Sequence, residues 1–229
     1  MIEKCYMCDA VGTTREHVPP KSFFPIEVRR GLRAKLTVVP SCELHNHSQS
    51  KEVEYVRNII AMSMGINEAG EKNLAVAKRS FEHSPALLRE TLKDFENVHI
   101  KGQETGIFKG DLDRIRAVMR PIANARYFKD HGTAYTATWK IFITSMTTPK
   151  EIETGVSGWE PFVDFVMRLP FKKKDVPEPE VFRYGVFEMI GGIAYEFVFY
   201  DGFFVHCWGP TPSVGCEVPP TRDDKRLGT

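Results

Sequence analysis

Cys5-Tyr6-Met7-Cys8, Thr14-Arg15-Glu16-His17-Val18-Pro19-Pro20 and Cys42-Glu43-Leu44-His45-Asn46 are the three runs that decide how the N-terminal part of this chain folds. The first and third each place two soft ligands two residues apart. Such a pair wraps one turn around a metal ion and fills two corners of a tetrahedron, so Cys5, Cys8, Cys42 and His45 together match what Zn²⁺ needs. His47, two positions further on, offers an imidazole for the same fourth corner. The middle run lies inside the loop that such an ion would close. An acidic residue fused to a histidine is not required by a structural zinc knuckle, and it points to catalysis.

Working outward, Leu36-Thr37-Val38-Val39-Pro40 is short, β-branched and closed by proline, which predicts a strand or extended segment running into Cys42. After His45 the period becomes helical. Ser48 or Ser50 can cap, and Val53, Val56, Ile59, Ile60 and Met64 recur at steps of three and four. Gly65 and Gly70 then suggest a boundary, giving a metal-bearing part over 1–66 and a second part over 67–229.

The second part reads as α+β. Residues 71–94 have helical character broken at Ser84-Pro85, and 95–110 is polar and punctuated by glycine. A helix is expected over 111–130 with Pro121 as a kink, on the stripe Leu112, Ile115, Val118, Met119, Ile122 and Ala123. Strands are expected over 134–147, 181–189 and 193–208, with Asp201-Gly202 as a hairpin turn. Lys172-Lys173-Lys174 reads as a charged loop, the basic turn Arg29, Arg30, Arg33 and Lys35 as a solvated face, and His206, Cys207 and Trp208 as core or half-buried strand residues.

Composition is that of a globular protein: 229 residues, 42% hydrophobic, 27% charged, formal net charge +1. No global field drives the chain onto nucleic acid, so any basic surface must be local. The start lacks the apolar core of a signal peptide, and no apolar run reaches the roughly 18 residues that a membrane span requires. Of five cysteines, Cys207 and Cys216 fall outside the metal set, and nothing in their spacing demands a disulfide. A reduced, cytoplasmic compartment is the simplest expectation.

In order and adjacency, Cys5-x2-Cys8, Glu16-His17 and Cys42-x2-His45-Asn46 resemble the HNH, or ββα-metal, endonucleases, and within them the zinc-stapled branch that includes the phage junction-resolving enzymes. The resemblance covers about the first sixty residues. Two positions differ: the fourth zinc ligand is His45 rather than Cys, and Glu16 stands where that family more often has Asp. Gln49 lies where those resolvases carry an acidic metal ligand. The resemblance implies a metal-dependent nuclease that cuts DNA, with RNA also open, and leaves 5′-phosphate and 3′-hydroxyl ends. It implies a structural zinc on Cys5, Cys8, Cys42 and His45. His17 would be the general base, and Glu16 and Asn46 would hold Mg²⁺ or Mn²⁺ through oxygen, the donor both ions prefer. Arg15, Lys21 and Lys51 are candidates to grip phosphates.

Two other readings stand beside it. One is a zinc-knuckle module that binds nucleic acid or protein without cutting it. The other makes residues 67–229 a sensor, a dimerisation surface or a partner-binding domain attached to the nuclease.

Overall fold

The computed structural model describes residues 3–26, 36–46, 50–100, 103–146, 165–166 and 168–212. It is a mixed helix and sheet fold. The N-terminal hairpin pairs β1 (Thr14–His17) with β2 (Val38–Ser41) antiparallel, placing Glu16 opposite Val39 and His17 opposite Val38. Val39, Pro40 and Ser41 are buried, which agrees with the β-branched run before Cys42. At Val18–Pro19 the peptide is cis, and a 3-10 turn follows at Lys21–Phe23. A short helix, α1 (Glu43–Asn46), leaves β2 directly and lies against β1.

Helix α2 (Ser50–Ala61) buries Val56, Ile59 and Ile60 of the stripe read from the sequence, with Tyr55 beside them; Val53 is half-buried, and Met64 lies beyond the helix and exposed. Its successor α3 (Glu68–His83) starts where the Asn67 side chain accepts from Gly70 N–H. It ends at Ser84, whose hydroxyl caps α4 (Pro85–Thr91) by accepting from Leu87 N–H. The stretch 95–110, read as polar and punctuated by glycine with no element assigned, forms a hairpin of β3 (Glu96–Ile100) and β4 (Gln103–Ile107). Helix α5 (Leu112–His131) is capped by Asp111, contains Pro121, and stops at Gly132 in the left-handed conformation.

The remaining strands make one antiparallel five-stranded sheet. They are β5 (Lys140–Ile143), β6 (Lys172–Lys174), β7 (Phe182–Met189), β8 (Gly192–Phe199) and β9 (Phe203–Pro210), in the order β5-β9-β8-β7-β6. The lysine triple read as a loop is the edge strand β6, a place where lysines discourage further strand pairing. The strand expected over 134–147 shrinks to four residues. Ahead of it Tyr135 stacks on Trp139, whose indole N–H donates to Asn124 on α5 at 2.7 Å.

The β8–β9 turn departs from the expected Asp201-Gly202 dipeptide. Left-handed backbone falls on Tyr200 (φ 49°) and Asp201 (φ 64°), one residue earlier. Tertiary bonds hold both: Tyr200 donates to Phe23 carbonyl, and Asp201 accepts from Asn67 and Arg183. Gly202 serves closeness instead, since a Cβ there would lie 2.6 Å from Met64 carbonyl oxygen. Gly70 likewise packs against Tyr200, with a would-be Cβ at 3.0 Å from the tyrosine Cβ. Among the described residues, then, the glycines read as a boundary lie where the chain packs against the C-terminal sheet. Asn67 N–H donates to Tyr200 carbonyl and its amide to Glu180 carbonyl. One hydrophobic core runs unbroken from Cys5 and Tyr6 through α2 and α5 to Cys207. No helix among the described residues is long and apolar enough to cross a membrane.

Candidate metal centre and its catalytic neighbourhood

The first knuckle is shaped by backbone bonds: Cys5 N–H donates to Ala10 carbonyl at 2.8 Å, and Lys4 bridges to Val11. Gly12 lets this loop lie on β2, because a Cβ there would sit 2.7 Å from Pro40 Cβ. The second knuckle is the β2–α1 junction, where His45 and Asn46 N–H groups both donate to Cys42 carbonyl at 3.1 Å. These two turns aim four ligand atoms at one point.

His45 Nδ1 lies 3.4 Å from Cys5 Sγ, 3.6 Å from Cys8 Sγ and 3.3 Å from Cys42 Sγ, and Cys8 and Cys42 sulphurs are 4.0 Å apart. All four ligand atoms fall within 4.8 Å of one another. A tetrahedral zinc with Zn–S of about 2.3 Å and Zn–N of about 2.0 Å has edges of about 3.5–3.8 Å. The quartet therefore fits a zinc ion, and His45 supplies the fourth corner; His47 lies outside the described residues.

Cys42 is drawn below the ordinary thiol range, first by the His45 backbone N–H. Cys8 has the Ala10 N–H lowering it, yet burial and the neighbouring Cys5 and Cys42 sulphurs carry it above that range. Three sulphurs this close ionise together only when a cation offsets their repulsion. Among the described residues no disulfide forms, and burial holds the Cys207 thiol high.

The acid–histidine pair sits on β1 beside this centre. Both side chains are half-buried. Burial raises the Glu16 carboxyl above its usual range, partly offset by a 2.8 Å bond that Tyr6 hydroxyl donates to Glu16 Oε2. Burial, with the Lys21 charge adding to it, holds the His17 imidazole below its usual value. His17 is consequently neutral near pH 7, the form that can accept a proton. Asn46 is half-buried at the end of α1. No bond joins its side chain to Glu16 or His17 among the described residues, whose one cluster of three or more His, Cys, Asp or Glu ligands is the zinc-type quartet.

Of the proposed phosphate contacts, Lys21 and Lys51 are exposed. Arg15 is exposed but paired with Glu3 at 2.6 Å. The basic turn Arg29–Lys35 and Gln49 lie outside the described residues.

The structure also brings in residues that motif reading overlooked. Arg126, buried on α5, donates to Val18 carbonyl at 2.6 Å and Thr37 hydroxyl at 3.1 Å, bracketing the end of the β hairpin. Asn73 on α3 donates to Phe23 carbonyl at 2.7 Å, as Tyr200 does. The segment after His17 is thus held from the C-terminal part of the chain at both ends. A signal for Arg126 existed: it falls four residues after Ile122 on an apolar stripe, where a cation implies a buried partner. Asn73 and Tyr200 carried no such mark. Comparison with family models, with curated proteins and with solved structures returned no match.

Proposed function

We propose that the chain is a metal-dependent endonuclease of the HNH type, hydrolysing DNA phosphodiester bonds. The observation that carries the reading is one of placement. A hairpin bearing Glu16-His17, followed by a short helix bearing His45-Asn46, is pinned by four converging zinc-type ligands. The structural zinc would clasp the two knuckles, and its binding free energy is folding free energy for this part of the chain.

His17 serves as general base. Neutral at pH 7, it removes a proton from water as the water oxygen bonds to phosphorus and the bond from phosphorus to the 3′-oxygen breaks, and the departing 3′-oxyanion takes a proton from solvent water. The products carry 5′-phosphate and 3′-hydroxyl ends. Glu16 and Asn46 would hold Mg²⁺ or Mn²⁺, which supplies positive charge to the scissile phosphate. The donor chemistry suits such an ion: Glu16 is a half-buried carboxylate whose charged form lacks a cationic partner among the described residues. Lys21 and Lys51 contribute salt-sensitive grip on phosphates, and Arg15 joins them by exchanging its exposed partner Glu3 for a phosphate.

The test is nicking of supercoiled plasmid with Mg²⁺, Mn²⁺ or neither, comparing wild type with His17→Ala. Divalent-dependent nicking that the substitution removes supports the proposal. Activity that survives His17→Ala removes the mechanism. Tight DNA binding with no cleavage in any metal favours the zinc-knuckle binding module instead.

A further inference from the structure

The first knuckle carries a side chain that reaches out of the zinc frame into the neighbouring site. Tyr6 stands between Cys5 and Cys8, wholly buried, with its backbone N–H donating to Pro40 carbonyl on β2 at 2.9 Å. The backbone bond ties the knuckle to the hairpin, and burial confines the ring. The hydroxyl donates to Glu16 Oε2 at 2.8 Å, from the first knuckle to β1. A buried phenol that lost this acceptor would bear the full cost of an unmade hydrogen bond, so the contact fixes the rotamers of both partners.

We propose that Tyr6 is a positioning residue that transmits the order of the zinc knuckle to the divalent cation site at Glu16. The inference rests on the reading of Glu16 as a cation ligand. With Oε2 engaged by the phenol, Glu16 presents Oε1 for a single-oxygen contact, the mode that suits an octahedral Mg²⁺ or Mn²⁺ that keeps several waters. Hydrogen bonds of this outer kind tune metal affinity by about ten- to a hundredfold in other sites. Because Tyr6 is flanked by two zinc ligands, zinc loading and divalent binding become linked, and each strengthens the other.

Tyr6→Phe removes one oxygen and keeps the ring. The experiment measures Mn²⁺ binding by electron paramagnetic resonance on full-length, zinc-loaded wild type, Tyr6→Phe and Glu16→Gln. Nicking is titrated with Mn²⁺ in parallel. Tyr6→Phe is expected to keep one zinc per chain and a cooperative melting transition, to weaken Mn²⁺ binding by about tenfold, and to recover nicking at saturating Mn²⁺. Unchanged Mn²⁺ affinity in Tyr6→Phe overturns the inference, as does nicking that stays low at saturation. Loss of zinc from Tyr6→Phe overturns it too, making the hydroxyl part of the knuckle's own fold. Failure of the underlying reading looks different: wild type and Glu16→Gln would bind Mn²⁺ alike, which removes the cation site and this role with it.

Discussion

His17 gathers two influences that bear on one proton. Burial disfavours its charged form, and Lys21 adds a like charge. A base of this kind contributes about 10²–10⁴-fold to rate through proton transfer. His17→Ala is accordingly expected to slow nicking by about that factor while zinc content and melting stay those of wild type; a loss of zinc would instead make the imidazole structural. The four metal-type ligands were readable in sequence because their chemistry depends on type and spacing: Cys5, Cys8, Cys42 and His45 converge as their spacing required. The residues that hold them in place were harder to read. Tyr6 finds Glu16 across ten positions, and Arg126 finds Val18 across more than a hundred. Such contacts are set by tertiary packing, which leaves no local pattern.

At the scale of elements, amphipathic period and capping chemistry did most of the work. The stripe Val56, Ile59, Ile60 gave α2, and the Ser84-Pro85 break separated α3 from α4 as the capping hydroxyl demands. Reading failed where a strand is short, polar or at an edge, as with β3, β4 and β6, since one exposed strand face carries no alternation to read. At Gly70, read as part of a boundary, close contact is what calls for glycine. Here helix propensity and packing predict opposite signs. Alanine in a helix interior is favoured over glycine by about 1 kcal/mol. A Cβ at Gly70, however, would stand 2.8 Å from Ile66 Cβ and 3.0 Å from Tyr200 Cβ, neither of which is the loose end of a side chain. Gly70→Ala is expected to lower unfolding stability by about 1–3 kcal/mol in urea titration, the usual cost of overpacking. A variant as stable as wild type, or more so, would show that α3 shifts freely against the β8–β9 turn.

For the molecule as a whole, the described packing makes the C-terminal sheet and α5 a scaffold for the N-terminal site. Arg126 meets Val18 and Thr37, Asn73 and Tyr200 meet Phe23, and Met7 accepts from the Asn124 amide at 2.8 Å. Truncation after residue 66 removes all of these donors and uncovers Tyr55, Val56, Ile59 and Ile60. The 1–66 fragment is therefore expected to lack a cooperative melting transition and nicking activity even with zinc supplied. A folded, active fragment would contradict this and make the rest of the chain an appendage. Beneath every step lies the zinc clasp proposed to join the two knuckles. Zinc-edge X-ray absorption on the purified full-length protein examines it most directly: the account predicts one zinc per chain, with three sulphurs at about 2.3 Å and one nitrogen at about 2.0 Å. Protein that folds without zinc, or a zinc shell with fewer than three sulphurs, would contradict it.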